Sequence, residues 1–251
     1  MGALVSDPWF YAVAVPAVLL MGLAKSGFLM GFGSLATPLM ALALPVPQAA
    51  AIMLPLLLVM DITGIRQLWA ERDRELLRLL LPAGLIGTLV GTLLFGVFTA
   101  KTVAAVVGGL TLLFLAQLLL FPPHRDAPPP PPRAVGFVLG IAGGFTSFVA
   151  HAGSPPLSAY VLPLRLSPIR LTATMAVLFG AINLSKWIPY AWLGLLDTRN
   201  LVTSLVLMPL APLGVWMGIW ATRRIASGWF YRLAYTGMFL TGVKLLWDGV
   251  A

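Results

Sequence analysis

The sequence predicts an all-α polytopic membrane protein: about eight long helices, two short broken or re-entrant segments, and two repeats of inverted topology. Three observations carry that reading. Of 251 residues, 59% are hydrophobic and only 10% charged, with a mean hydropathy of +0.95. A soluble chain carries about 25% charged residues, because its surface must face water. Apolar runs of spanning length recur along the chain, and Gly and Pro landmarks repeat in the same order in its two halves.

The long runs are 9–30, 47–65, 76–98, 102–121, 134–150, 168–192, 199–221 and 229–248. Each is about 17–25 residues, enough to cross some 30 Å of hydrocarbon. The first lacks a basic stretch before it and reads as a retained segment, not a cleaved signal peptide. Two apolar pieces, about 34–44 and 155–163, follow the first and fifth runs after Gly-rich breaks and are too short to cross alone. Residues 122–133, PPHRDAPPPPPR, form a solvated linker on the cytoplasmic side. Proline blocks helix there and favours extended polyproline II. The linker separates a first repeat, 1–121, from a second, 134–251, each read as a hairpin plus three spans.

The landmarks support duplication. Pro82-x4-Gly87-x3-Gly91 matches Pro209-x4-Gly214-x3-Gly218 at a constant offset of 127 positions. Gly33-Ser34 corresponds to Gly153-Ser154, each followed by proline (Pro38; Pro155 and Pro156). Pro47 and Pro168 open the next helix in each half, and Asp61 and Asn183 fall near one another within it. If each long-plus-short pair enters and leaves on one side, an odd number of crossings inverts the second repeat. With the N-terminus outside, the cytoplasmic loops then receive Arg66, Arg72, Arg74, Arg78, Arg125, Arg133, Arg165, Arg170, Arg223 and Arg224. The outer side receives Lys101, Arg199 and Lys244, the asymmetry that the positive-inside rule demands. The net charge of +8 is thus read as basic loops. No nucleic-acid partner is expected, since no basic stretch alternates with aromatics able to stack bases.

Exclusions narrow the chemistry. The chain has no cysteine, which removes thiol nucleophiles, thiolate metal sites and disulfides. Its two histidines are His124 and His151, so no zinc site is expected, and no other metal or cofactor either. No nucleophile–base pair stands out, so the chain does not read as an enzyme. The rival class is a structural or assembly partner of another membrane complex.

Inverted repeats with broken helices are a transporter signature, and unpaired backbone at membrane depth is tolerated only beside protein or a water-filled cavity. The breaks at Gly31–Ser34 and His151–Ser154 are therefore the candidate site. Ser34 and Ser154 read as N-caps, Ser154 with proline at the first helical position. Two helix N-termini meeting near the midplane offer free N–H groups to an anion; the alternative is that both breaks are packing turns. The candidate substrate-binding residues are Gly33, Ser34, His151, Gly153, Ser154, Lys25, Asn183 and Lys186, with Asp61 as a coupling candidate. Ionisable residues inside apolar runs are costly and mark function. Asn183 and Lys186 share a helical face at i, i+3. Lys186 either faces substrate or snorkels to an aromatic belt of Trp187, Tyr190 and Trp192. Asp61 pairs with Lys25, binds a proton, or lies near Arg66 at the cytoplasmic end. His151 is a ligand or a satisfied polar group at the turn. The duplicated glycines are read as close helix packing.

Over residues 20–248 the chain resembles the TauE/SafE family of sulfite-exporter-like membrane proteins. The resemblance is carried by Gly27-Phe28-Leu29-Met30-Gly31-Phe32-Gly33-Ser34 through Pro38, the duplicated P-x4-G-x3-G, and Asn183-Leu184-Ser185-Lys186. Ser34 stands where the family commonly has another glycine, and His151-Ala152-Gly153 also departs from its pattern. The resemblance implies a duplicated carrier for sulfite, sulfonates or related organic anions. The expected function is therefore alternating-access transport of a small anion across the inner membrane, with proton-coupled uptake of an organic anion as a further alternative. The partners are the anion and the lipid bilayer; assembly into a homo-oligomer stays open.

Overall fold

The computed structural model describes residues 4–27, 32–95, 97, 99–120 and 131–250. Phe28–Gly31 of the first break and most of the Pro-rich linker lie outside the described residues. The rest is helical, with no strand among the described residues.

The first half holds α1 (Pro8–Lys25), α2 (Ala36–Met40), α3 (Val46–Leu68), α4 (Arg74–Leu93) and α5 (Ala100–Leu120). Asp7 starts α1 by accepting the Trp9 N–H at 2.9 Å, with Pro8 at the first helical position. The helix stops at Lys25, five residues short of the end of its apolar run. There the Ser26 hydroxyl turns back to the Leu23 carbonyl at 2.6 Å, and Gly27 takes a left-handed φ of 85°. A 3-10 turn, Gly33–Leu35, leads into α2. Asp73, within the charged stretch 71–75, caps α4 by accepting the N–H groups of Glu75 and Leu76, both at 3.0 Å. Its carboxylate also meets Arg170 at 2.8 Å, tying that loop to the second half.

The second half holds α6 (Arg133–Ala150), α7 (Ser154–Val161), α8 (Pro168–Ser185), α9 (Trp187–Trp192), α10 (Thr198–Leu207), α11 (Leu210–Thr222) and α12 (Ser227–Val250). Two of its apolar runs are broken where one helix was expected. Run 168–192 breaks at Lys186, because Pro189 has no N–H for the Ser185 carbonyl and its ring crowds that oxygen. Run 199–221 breaks between α10 and α11, whose axes differ by 44°. Pro209 and Pro212 remove the donors for the Leu205 and Met208 carbonyls, which accept tighter bonds from Met208 and Ala211 instead. The matching run of the first half stays one helix through Pro82. Among the described residues, four helices are long and apolar enough to cross a membrane, or five with the bent pair. That is fewer than the eight runs of the sequence.

Packing crosses between the halves. α1 lies on α11, α4 on α6, α3 on α8, and α5 on α12. The duplicated glycines make two of these seams possible. A Cβ on Gly214 would lie 3.1 Å from the Leu19 carbonyl oxygen, and one on Gly218 would lie 1.6 Å from the Ser26 hydroxyl, both in the α1 region. A Cβ on Gly87 would lie 2.0 Å from the Ile141 carbonyl oxygen, and one on Gly91 2.9 Å from Phe148 Cβ, both on α6. Each P-x4-G-x3-G motif therefore seats the first helix of the other half. In lipid such seams rest on close van der Waals contact, which side chains at these positions would prevent. The spans built on α3 and on α8–α9 are the most enclosed, 67% and 61% buried, and form the centre of the bundle.

Candidate functional site

Four helix segments converge on the centre: the C-terminal ends of α1, α6 and α8, and the middle of α3. Lys25, the last residue of α1, forms an ion pair with Asp61 of α3, and its ammonium lies 5.1 Å from the centroid of the Phe179 ring. The other Asp61 oxygen accepts from Asn183 Nδ2 at 2.7 Å. Asn183 Oδ1 therefore faces Lys186, whose Nζ donates to it at 2.9 Å. Lys186 also donates to the Ser147 carbonyl at 2.7 Å, and its Nζ lies 2.8 Å from the Ser147 hydroxyl and 3.1 Å from His151 Nδ1. His151 Nε2 lies 3.0 Å from the Ala50 carbonyl oxygen. One polar chain thus runs from Lys25 through Asp61, Asn183 and Lys186 to His151.

Local structure aims these groups. The break before Trp187 places Lys186 between two helices. Tyr190 docks α9 onto α6 by donating to the Phe148 carbonyl at 2.8 Å. Lys186 is fully buried, so it does not snorkel. Of the three aromatics expected in an interfacial belt, Trp192 is exposed while Tyr190 is buried. His151 ends α6 in the left-handed conformation, φ 52°. Its own N–H returns to the Ser147 carbonyl and that of Ala152 to the Thr146 carbonyl, a C-terminal cap of the αL type. The left-handed residue of this break is thus His151 and not Gly153.

A cavity of about 40 Å³ opens beside the chain. One water needs about 10–15 Å³ on this measure, so a ligand of a few heavy atoms fits. Its polar walls are Lys25, Ser147, His151, Ser154, Ser158 and Asn183, with Gly33 and an apolar side that includes Leu57, Met175 and Phe179. Of the residues singled out in the sequence, Lys25, Gly33, His151, Ser154 and Asn183 therefore meet at one cavity. Lys186 and Asp61 stand behind it, bonded to its wall. Asp61 is buried against Lys25 and Asn183, which settles its position against the alternative beside Arg66.

The capping roles expected of the serines are not what the structure has. Gly153 is the N-cap of α7, and Ser154 is its first helical residue. Ser34 sits in the middle of the 3-10 turn and makes no capping bond. With only five residues, α2 brings little dipole to the site. The hydroxyls of Ser34, Thr37, Ser158 and Thr172 are buried with no hydrogen-bond partner among the described residues. Sequence reasoning missed Ser147, Ser158 and Phe179. Ser147 lies four residues before His151 and Ser158 four after Ser154, spacings that place each on the same helical face as a residue already chosen. Among the described residues no group of three or more His, Asp or Glu could hold a metal ion.

Compared with known proteins, residues 14–245 match the family model described as Sulfite exporter TauE/SafE. No curated protein and no solved structure matches the chain.

Proposed function

The chain belongs to the sulfite exporter TauE/SafE family, and on that premise we propose that it is a secondary carrier exporting a small sulfur oxyanion or organosulfonate across the inner membrane. The observation that carries the reading is the small cavity at the bundle centre. Lys25 stands in its wall, Lys186 lies directly behind, and the lining comes from both halves of the chain. The buried Lys186 and the part-buried Lys25 against one buried carboxylate suit an anion and repel a cation. The two halves, 1–121 and 134–251, act as repeats of opposite topology joined by the Pro-rich linker. The reciprocal seams α1–α11 and α4–α6 support this arrangement. Alternating access then rocks these seams around a site shared by α3 and α8. Substrate binds at Lys25, Gly33, His151, Ser154 and Asn183 of the cavity wall, with Lys186 behind it, while Ser34 and Gly153, also expected to bind it, shape the breaks from outside the lining. A negative cell interior drives an anion outward with about 2.3 kcal/mol per charge per 100 mV, so no coupled ion is required.

Flux through purified protein in liposomes tests this. Radiolabelled sulfite, sulfate, taurine and sulfoacetate are compared under a valinomycin–potassium potential at equal pH on both sides. The expected result is efflux of at least one of them that rises with the potential. Flux that follows only an imposed pH gradient makes Asp61 a proton site and replaces this mechanism with proton coupling. No flux of any of them leaves the assembly-partner reading.

Orientation has its own test. The chain has no native cysteine, so Glu71→Cys and Arg199→Cys, both at exposed positions, report cleanly. With the N-terminus outside, an impermeant maleimide added to intact spheroplasts should label position 199 and spare position 71. The reverse pattern overturns the topology.

A further inference from the structure

We infer that the central cavity is built for a monoanion and discriminates against dianions, because the side chains buried around it sum to a single positive charge. The inference rests on the carrier reading above and adds the charge of its substrate.

The charge follows from hydrogen bonds. Among the described residues, four titratable groups stand at the cavity or against its wall, one from each converging element: Lys25 on α1, Asp61 on α3, His151 after α6, and Lys186 after α8. Lys25 and Asp61 cancel as an ion pair. Asn183 can be oriented in only one way, its amide nitrogen toward the Asp61 carboxylate and its oxygen toward Lys186. His151 Nε2 faces the Ala50 carbonyl, which only accepts, so this nitrogen carries a proton. Lys186 Nζ is surrounded by four acceptors, the Ser147 carbonyl and hydroxyl oxygens, Asn183 Oδ1 and His151 Nδ1, a setting that suits an ammonium with three N–H groups. With its third proton on the Ser147 hydroxyl or shared with His151 Nδ1, the Lys186–His151 pair carries one positive charge. Among the described residues no carboxylate bonds to this pair.

The origin of the excess is legible in the two halves. Asp61 and Asn183, 122 positions apart, occupy corresponding places in α3 and α8 and touch each other across the centre. One half has a carboxylate and the other its neutral amide, so the cluster is one negative charge short of balance. A buried uncompensated charge is unfavourable. A monovalent anion beside Lys25 and His151 restores balance in a low-dielectric site, and a dianion overshoots it by one charge. A second observation points to the same ligand. Ser158, fully buried, lines the cavity with a hydroxyl that has no partner among the described residues, a donor suited to an anionic oxygen.

Methanesulfonate and sulfate test this, since they share a tetrahedral shape and differ by one charge. Full-length protein in liposomes is assayed for uptake of each, in the wild type and in two variants that shift the cluster charge in opposite directions. Lys186→Gln brings it to zero, and Asp61→Asn raises it to two. Wild type is expected to prefer methanesulfonate at least tenfold. Lys186→Gln should lose methanesulfonate uptake by a similar factor, and Asp61→Asn should narrow or invert the preference. If one variant fails to fold, the other still carries the test, because each predicts its own direction of change. Sulfate uptake equal to or above that of methanesulfonate in wild type overturns the inference, as does a ratio unmoved in every folded variant; transport of both anions in that case leaves the carrier reading standing. Uptake of neither anion, with no flux of sulfite, taurine or sulfoacetate either, removes the carrier reading and the inference with it.

Discussion

Alanine at Asp61 is expected to destabilise the protein by about 3–5 kcal/mol, the usual cost of removing one partner of a buried ion pair. Folded proteins hold only about 5–15 kcal/mol in total, so the loss is a large share of the whole and should show as a clearly lowered melting temperature. The cause is specific to this position. Without Asp61, Lys25 keeps, among the described residues, only the face of Phe179 as a partner, and Asn183 Nδ2 loses the acceptor it holds at 2.7 Å. Replacing both charges, Lys25→Met with Asp61→Leu, should recover part of that loss, because two apolar side chains need no compensation in a buried site while Asn183 Nδ2 still lacks its acceptor. Transport should fall in the double variant, since the cation in contact with the anion is gone although the net charge of the cluster is unchanged. Thermal unfolding of detergent-purified protein reads the first effect and liposome flux the second. An Asp61→Ala protein that melts with the wild type would mean that the ion pair contributes nothing.

The second large effect is expected at Gly153. A Cβ there would lie 2.6 Å from the Gly143 carbonyl oxygen, 2.8 Å from Ser147 Cβ and 3.0 Å from the Phe179 ring. Valine must displace all three, at about 1–3 kcal/mol for overpacking. The displacement also has a functional consequence, because Ser147 holds Lys186 through its carbonyl. Gly153→Val should therefore abolish transport even where the protein still folds. Gly33 is its counterpart in sequence and not in surroundings. Among the described residues, a Cβ on Gly33 meets only Ala24 Cβ at 3.1 Å and Met21 Sδ at 3.5 Å. Gly33→Ala should fold and keep part of the activity. Wild-type flux through Gly153→Val would show that the second break is a packing turn alone.

These unequal glycines mark the boundary between what is local and what is not. Composition alone decided that the chain belongs in a membrane, because too few charges exist to clothe a soluble particle. Runs such as 47–65 and 134–150 became α3 and α6 within a few residues, since apolar length and a proline near the start are local signals. The breaks at Pro189 and Pro209 were also written in the chain, but membrane helices tolerate proline, as α4 does at Pro82, so no local rule told the two outcomes apart. Lys25, Asp61, His151, Asn183 and Lys186 could be chosen from the sequence as costly groups in apolar runs. Their partners could not. Lys25 finds Asp61 36 positions away and Asn183 meets Asp61 across 122. A lysine in an apolar run reads the same whether it snorkels to the interface or is enclosed. Only the seating of each half's first helix on the other half's glycines brings α1, α3, α6 and α8 together and encloses Lys186. Helical periodicity fixes which residues share a face of one helix. Which faces meet depends on backbone approach between segments far apart in the chain, and that is a property of the packed bundle alone.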